Sequence, residues 1–325
     1  MKLKTRVTEL LEIDVPIVMG GLTFYGRAEL AAAVSNAGGL GMITALTVGS
    51  PTALAEEIAR CRGLTDKPFG VNLTILPTMS PVPYDAYRRV IIDTGVPVVE
   101  TAGRAPTDHL PDFKANGVKV IHKCGSVRHA LSAERLGVDI ISIDGFECAG
   151  HPGEDDVGGL VLIPATVDKV SIPVIASGGI GDGRGLAAVL ALGADGANMG
   201  TRFCATQEAP AHPAIKQLLL DRDELGTNLI FRSLKNTARV VRNKVSDEVV
   251  ERLSDPEAAF SEVAEMVAGV RGREALTSGD IDGGIIWGGQ VMGLIHDLPT
   301  CEELIDRMVR EAVSRQEALR HMFNA

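Results

Sequence analysis

The stretch PVIASGGIGDGRGLAAVLALGADGANMGTRF, residues 173–203, decides the fold class. It begins with a short apolar run, turns through several glycines into the helical segment GRGLAAVLALG, and ends in a second short apolar run. Parallel strands that are buried on both faces have such continuous apolar sequences. The stretch therefore predicts a strand, a helix and a second strand parallel to the first.

The same alternation repeats along the first 220 residues. The eight apolar runs are PIVMGG from Pro16, LGMITALT from Leu40, FGVNLTI from Phe69, VPVVETA from Val96, VKVIHKC from Val118, VDIISIDG from Val138, PVIASGG from Pro173 and GANMGTRF from Gly196. Eight such units at roughly regular spacing predict an α/β fold, a closed (β/α)8 TIM barrel. An open doubly wound sheet is the alternative, and the count of eight disfavours it.

The pattern changes after about Leu220. Residues 221–325 are expected to form a helical extension that packs on the barrel of residues 1–220, since the segment contains several charged, helix-like stretches. Its last part, Cys301–Phe323, has the apolar spacing of an amphipathic helix. This helix is expected to pack back on the body or to form part of a homodimer interface.

Composition and charge exclude several classes of function. The net charge is −10 and aromatic residues make up 4% of the chain, so neither a basic surface nor a base-stacking platform for nucleic acid is expected. The five cysteines are scattered without a C-x-x-C pair, which indicates reduced thiols and no metal site. No apolar segment resembles a secretory signal or a membrane span, and we expect a soluble cytoplasmic protein without a membrane partner.

Two loops at the predicted barrel mouth suggest a phosphate site. In TIM barrels the functional groups lie after the carboxyl ends of the strands, and the loops after strands seven and eight commonly bind phosphate. Here those loops carry Ser177, Gly178, Gly179, Gly200 and Thr201, which offer backbone N–H groups and hydroxyls. The alternative is that the glycines only make tight turns. Residues 179–183 also resemble a dinucleotide fingerprint, but their spacing is G-x-G-x-G, so that resemblance is weak.

Lys123 and His151 are the candidate reactive side chains. Lys123 ends the fifth run and could be a Schiff-base amine, a phosphate partner, a cation beside an electron-accepting ring or a solvated rim charge. Because side chains alternate along a strand, only one of His122 and Lys123 should face the barrel mouth.

His151 lies on the loop DGFECAGHPGEDD after the sixth run. It has no second histidine nearby, which disfavours a metal site. A structural role or a role as acid, base or hydrogen-bond donor remain. Glu154, Asp155 and Asp156 are expected to cap the following helix, because carboxylates favour helix amino termini.

Several segments together resemble a known family. PIVMGG, NLTILPT, HKCGSVRHA, DGFECAGHPGEDD, the stretch 175–203 and SLKNTAR are similar to the nitronate monooxygenase (2-nitropropane dioxygenase) superfamily, most of all to its bacterial NADH:quinone reductase subgroup. The resemblance implies a TIM barrel that binds FMN non-covalently. It implies that the FMN phosphate contacts Ser177, Gly178, Gly179, Gly200 and Thr201. Further cofactor-binding residues by the same resemblance are Gly21, Leu22, Thr23, Thr74, Lys123, Ala149 and Gly150, with His151 on the substrate side as the catalytic residue.

The chain departs from this subgroup at two places. Met19 and Thr23 stand where the subgroup has glutamines, and Met79 stands where a glutamine follows the Pro-Thr pair. The loop that contains Met79 gates the nicotinamide nucleotide in the subgroup. These departures make FMN binding a firmer expectation than the use of NADH.

The resemblance implies an FMN-dependent oxidoreductase with NADH as co-substrate. NADH would reduce the flavin by hydride transfer to N5, and a quinone-type acceptor would then be reduced in a ping-pong cycle. The main alternative is a nitronate monooxygenase that oxidises alkyl nitronates with O2. A flavin enoyl-ACP reductase is disfavoured by the lack of a basic patch, and an IMP dehydrogenase-like enzyme by the poor match of Cys148 to that enzyme's motif. A flavin-binding sensor without turnover is the alternative from a different class.

Overall fold

Eight short parallel strands form the centre of the molecule, seen in a computed structural model that describes residues 2–76 and 81–324. The strands are β1 Ile17–Met19, β2 Gly41–Thr44, β3 Phe69–Ile75, β4 Val98–Gly103, β5 Lys119–Cys124, β6 Ile140–Asp144, β7 Val174–Ser177 and β8 Gly196–Met199. Their order is β1-β8-β7-β6-β5-β4-β3-β2, and the named neighbours pair in parallel. The predicted (β/α)8 TIM barrel is confirmed, and each predicted apolar run supplies one strand.

The seam between β1 and β2 is closed by a single residue. Leu40, just before β2, donates its N–H to the carbonyl of Ile17 at 2.9 Å and accepts from the N–H of Met19 at 2.9 Å. The barrel is therefore nearly closed at this point, with one bridge instead of a full ladder.

Helices surround the strands on the outside. The helices up to residue 221 are α1 Arg6–Leu11, α2 Ala28–Asn36, α3 Pro51–Arg62, α4 Tyr84–Asp93, α5 Leu110–Ala115, α6 Val127–Leu136, α7 Gly159–Val167, α8 Gly183–Ala191, α9 Thr201–Cys204 and α10 Pro213–Asp221. Helices α2 to α8 each follow a strand of the barrel, as the alternation in the sequence predicts.

The barrel interior has an apolar lower layer and a polar upper layer. Inward-facing residues near the strand starts, such as Val98, Ile121 and Ile140, are fully or almost fully buried and pack with Val7 and Leu11 of α1. Because the side-chain period of a strand is two, the next inward positions along the strands are Glu100, Lys123 and Ser142. The upper layer therefore forms the polar floor of the barrel mouth.

The extension contains a β-hairpin that the sequence patterns do not predict. Its elements are β9 Thr227–Ile230, β10 Ala238–Val241, α11 Lys244–Arg252, α12 Gly269–Ser278 and α13 Cys301–Phe323. The expectation that residues 221–325 form a helical extension is thus wrong for β9 and β10, which pair antiparallel. The hairpin is stabilised by packing, because Ile230 and Val240 are buried in one cluster with Val245 and Val249 of α11.

Helix α13 coincides with the span that the amphipathic pattern predicts. Its face of Leu304, Ile305, Met308 and Val309 is buried, and it packs against α8 and α2. Across residues 2–76 and 81–324, no helix combines the length and apolarity that crossing a membrane requires.

Candidate active site

A cavity of about 470 Å³ opens at the carboxyl ends of the barrel strands. This volume falls within the range of small-molecule and cofactor sites. All thirteen residues that the sequence predicts for the site line this cavity. They are Gly21, Leu22, Thr23, Thr74, Lys123, Ala149, Gly150, His151, Ser177, Gly178, Gly179, Gly200 and Thr201.

A buried carboxylate organises the cavity floor. Glu100 is 0% exposed and accepts hydrogen bonds from the Gly21 N–H at 2.7 Å, from Asn72 Nδ2 at 2.8 Å and from Asn198 Nδ2 at 2.9 Å. Asn198 Oδ1 in turn accepts from the Gly20 N–H at 2.9 Å. The network fixes the backbone after β1, where Gly20 and Gly21 line the cavity.

Lys123 and Asp144 form an ion pair beside this network. Lys123 Nζ lies 3.2 Å from Asp144 Oδ1, and the Lys123 side chain is 25% exposed, on the cavity side. Burial alone would lower the pKa of Lys123, but the carboxylates of Asp144 and Glu100 raise it above its usual value. Lys123 is therefore a cation on the cavity wall at neutral pH. Burial raises the pKa of Asp144, and Lys123 opposes that shift.

The loops after β7 and β8 meet at one end of the cavity. Gly178 has φ +94° and Gly179 has φ +74°, a left-handed conformation that glycine adopts without strain. A Cβ on Gly178 would lie 2.9 Å from the Cβ of Cys148, so the loop also needs glycine for space. Thr201 Oγ1 accepts from the Gly289 N–H at 3.0 Å, which leaves the hydroxyl proton available to an acceptor in the cavity.

His151 lies at the cavity mouth next to Trp287. Their ring centroids are 6.2 Å apart. The imidazole is open to the cavity and surrounded by its walls. This environment lowers the pKa of His151 through partial loss of hydration, and the carboxylate of Glu154 opposes the shift. His151 is accordingly neutral at pH 7 and offers one ring nitrogen as an acceptor and one as a donor.

The acidic residues after His151 do not cap α7. The Gly159 N–H at the start of α7 instead donates to both carboxylate oxygens of Glu147, at 3.0 Å each. Glu154 accepts from Thr237 and Asp156 pairs with Arg232, and both partners belong to the extension. The expectation that Glu154, Asp155 and Asp156 cap this helix is wrong, because the fold places a different carboxylate nearer to the free N–H groups.

Several residues of the cavity and its floor are not among the thirteen that the sequence predicts for the site. Glu100 has a signal, since it is the one charged residue in the otherwise apolar run VPVVETA. Trp287 is the only tryptophan of the chain and precedes two glycines. Asn236, Thr237 and Gly289 also line the cavity, so the extension contributes to the site. Met79, one of the two departures from the subgroup pattern, lies outside the described residues.

His122 faces away from the mouth, as alternation along β5 predicts. It is 5% exposed and its Nδ1 lies 2.8 Å from the hydroxyl of Thr101. Burial lowers the pKa of His122 from 6.5 to about 4. Between pH 4 and pH 6.5, the unfolded chain therefore binds a proton at His122 more readily than the folded protein does.

The protein is expected to lose about 3 kcal/mol of stability from His122 as the pH falls from 6.5 to 4. The contribution is fully present above pH 6.5, because the ring is then neutral in both states. Denaturant titrations at several pH values test this, and H122Q should flatten the acid dependence. His296, which is exposed and lies outside the helices and strands, is the control, since H296Q should leave the acid dependence as in the wild type. An equally steep loss in H122Q would contradict the assignment.

The cysteines near the mouth are poor nucleophiles. Cys148 lines the cavity, and burial raises the pKa of its thiol well above the usual range. Burial likewise raises the pKa of Cys124 to about 12. Neither is a thiolate at neutral pH, which disfavours the IMP dehydrogenase-like alternative because that enzyme needs a nucleophilic cysteine.

The cavity fits the phosphate and ring system of FMN. The left-handed turn at Gly178 and the Thr201 hydroxyl suit a phosphate at one end. A Cβ on Gly150 would meet no atom within 4 Å, so this residue leaves open space beside His151.

Comparison with known proteins finds a family and relatives that match nearly the whole chain. The family model for nitronate monooxygenase matches residues 4–311. The chain is 34% identical to a 5-hydroxy-7a-methyl-1-oxo-octahydro-1H-indene-4-carboxyl-CoA dehydrogenase of Rhodococcus jostii, over 98% of each protein. It is 31% identical to a probable nitronate monooxygenase of Staphylococcus saprophyticus, over 96% of this chain and 98% of that protein.

A solved structure of FabK from Thermotoga maritima is also similar. The TM-score is 0.91 and the identity is 38%, over 99% of this chain and 100% of that one. The family match and these full-length similarities show the kind of enzyme that this barrel and its cavity form. The chain belongs to the nitronate monooxygenase family and is an FMN-dependent oxidoreductase.

Proposed function

We propose that FMN binds in the barrel-mouth cavity and contacts twelve of the thirteen lining residues named above, all but His151. The phosphate would contact Ser177, Gly178, Gly179, Gly200 and Thr201, and Lys123 would supply the cation of the site. Gly21, Leu22, Thr23, Thr74, Ala149 and Gly150 would line the flavin. The proposal is supported by their convergence on one cavity and by the fit of the Gly178 turn to an anion.

We further propose that the enzyme uses NADH to reduce a quinone-type acceptor. FMN, when bound, accepts a hydride from one substrate and donates it to the next. The overall reaction converts NADH, a proton and the quinone into NAD⁺ and the hydroquinone. The observation that carries the proposal is the placement of a cation, Lys123, and a neutral imidazole, His151, on the walls of one cavity.

The two side chains would have different tasks. Lys123 stabilises negative charge that develops near the cavity floor, because its ammonium is held there by Asp144 and Glu100. His151 faces the cavity mouth, where it can orient a carbonyl oxygen of the acceptor through its N–H or exchange a proton with it.

Nitronate oxidation with O2 is the second candidate. The names of curated relatives favour it, as in the protein of Staphylococcus saprophyticus. The neutral His151 also favours it, because an unprotonated ring nitrogen can accept a hydrogen bond or a proton from a nitroalkane.

Thioester-linked substrates belong in the same test. The indene-carboxyl-CoA dehydrogenase acts on a CoA derivative by its name, and FabK is an enoyl-ACP reductase. An enoyl thioester and a quinone are both conjugated carbonyl compounds, so Lys123 and His151 could serve either. The enoyl-reductase alternative therefore gains support that the acidic charge of the chain did not suggest.

Reoxidation of the reduced enzyme distinguishes a quinone-type acceptor from an enoyl thioester. The holoenzyme is reduced anaerobically with one equivalent of NADH and then mixed with menadione, with crotonyl-CoA or with buffer. We expect menadione to restore the oxidised flavin spectrum fastest. Faster reoxidation by crotonyl-CoA would transfer the proposal to a thioester, and no reoxidation by either would contradict reduction of a conjugated carbonyl.

Replacement of Gly178 by alanine is expected to weaken FMN binding about 10-fold or more. The left-handed backbone and the 2.9 Å approach to Cys148 would each force the loop to shift, and strain of this kind costs about 1–3 kcal/mol. Fluorescence titration of the apoprotein with FMN measures the dissociation constant.

Gly117 is the matched control for this change. It also has a left-handed φ, +72°, but a Cβ there meets no atom within 4 Å and the residue precedes β5 at the opposite end of the barrel. G117A should leave the FMN dissociation constant unchanged. Equal weakening in both variants would mean that Gly178 acts only through general stability.

We also propose a division of labour along the chain. Residues 1–220 would form the FMN-binding barrel, and residues 221–325 would complete the mouth, since Trp287 and Gly289 line the cavity.

A homodimer through α13 is proposed from the exposure of Met322 at 67% and Phe323 at 86%. Light scattering after size exclusion tests it, and a monomer at all concentrations would contradict it.

A further inference from the structure

The β9–β10 hairpin is attached directly to the loop that carries His151. The Gly150 N–H donates to the Arg239 carbonyl at 3.0 Å, and the Arg239 N–H donates back to the Gly150 carbonyl at 2.6 Å. This pair forms an antiparallel bridge between β10 and the residue just before His151. The extension therefore fixes the backbone of Gly150, the residue immediately before His151.

The Arg239 side chain strengthens the attachment at the start of the same loop. It is 3% exposed, and its Nε and Nη2 donate to the Phe146 carbonyl at 3.2 and 2.9 Å. Its Nη1 donates to Thr227 Oγ1 at 2.8 Å, and the guanidinium lies 4.6 Å from the centroid of the Phe146 ring. Among the described residues, no carboxylate lies within ion-pair distance of this guanidinium, so its donors serve the loop and the hairpin.

Two further contacts hold the end of the loop. Glu154 accepts from the Thr237 N–H at 2.7 Å and from the Thr237 hydroxyl at 2.5 Å. Asp156 pairs with Arg232 at 3.0 Å, but both side chains are about two-fifths exposed, and exposed pairs contribute little. The loop is therefore held mainly at Phe146, Gly150 and Glu154.

We infer that Arg239 is a positioning residue: by binding Phe146 and bridging Gly150, it holds His151 against Trp287 at the cavity mouth. The inference rests on the proposed function only in that His151 faces the substrate. Arg239 does not line the cavity and would act through the loop alone. A buried guanidinium suits this task because its planar fork binds one carbonyl with two parallel donors.

Replacement of Arg239 by methionine tests the inference by NMR of the FMN-loaded enzyme. The His151 ring signals, assigned with H151Q, are expected to broaden and to lose their nuclear Overhauser contact with Trp287. The His151 pKa should rise towards 6.5, since the ring becomes more hydrated while Glu154, the charged group that acts on it, remains. In turnover of NADH with menadione, kcat should fall about 10- to 100-fold, as for a misplaced reacting group.

A matched variant separates positioning from stability. Val240 is next to Arg239 in β10 and fully buried on the other side, in the core of the extension. V240A should lower the melting temperature without altering the His151 signals. R239K should alter the His151 signals as R239M does, because an ammonium cannot make the paired contact with the Phe146 carbonyl.

A second, milder variant applies if R239M does not fold. T227V removes only the hydroxyl that accepts from Arg239 and should shift the His151 signals in the same direction by less. Wild-type His151 signals in a folded R239M, or in T227V where R239M is unfolded, would overturn the inference. The NMR result does not require reduction by NADH, so failure of the proposed function is recognised separately.

Discussion

Replacing Lys123 by methionine is expected to lower the free energy of unfolding by about 3–5 kcal/mol. The change removes the cation that lies 3.2 Å from Asp144 and leaves that carboxylate 7% exposed without its partner. Removing one partner of a buried pair costs more than the pair contributes, because the remaining charge is not solvated. Guanidinium titration with FMN in excess measures the loss.

Two variants make this result specific. K123M/D144N should recover most of the loss, because residue 144 then carries no charge and Glu100 keeps its three hydrogen-bond donors. R310M breaks an exposed pair, with side chains 64% and 53% exposed, and should change stability by less than about 1 kcal/mol. If K123M were as stable as the wild type, Lys123 would not be needed to hold Asp144 as an anion.

Replacing His151 by alanine is expected to lower kcat/KM for the acceptor about 100-fold or more while FMN content is unchanged. The imidazole is the titratable group at the cavity mouth, next to Trp287. If its neutral ring is required, wild-type activity should fall as the pH drops below 6.5, since the pKa of His151 lies below that value. The pH profile of kcat/KM for menadione, at saturating NADH, measures this.

Glutamine at position 151 distinguishes two roles of the histidine. A glutamine amide can donate a hydrogen bond but does not titrate. H151Q should therefore retain much of the activity if His151 only orients the acceptor, and lose it like H151A if proton transfer is needed. H296A, at an exposed histidine that does not line the cavity, is the control. Full activity of an FMN-loaded H151A at every pH would leave the histidine without a catalytic role.

The barrel could be predicted because its signals are local. Each strand is a continuous apolar run between turns. Alternation within β5 correctly predicts that only one of His122 and Lys123 faces the mouth, and the structure places Lys123 there. Most of the residues that line the cavity could be located for the same reason, since the carboxyl ends of parallel strands meet at one face, whereas Leu22 and Thr23 follow only from the family resemblance.

The contacts of the extension could not be predicted because they join distant residues. Arg239 and Phe146 are 93 positions apart, and an arginine in a short polar stretch carries no local signal of burial. The hairpin of β9 and β10 depends on packing against α11, which short strands with charged neighbours do not reveal. The capping of α7 by Glu147, twelve positions before Gly159, likewise depends on how the loop folds back.

Anaerobic titration of the purified enzyme with NADH tests whether the bound flavin accepts a hydride from this nucleotide. We expect a yellow protein with FMN bound, whose flavin absorbance bleaches within seconds of adding one equivalent of NADH. NADPH and propyl nitronate are titrated in parallel as alternative reductants. Bleaching by propyl nitronate without any by NADH would contradict the NADH-dependent reductase and establish the nitronate oxidase in its place.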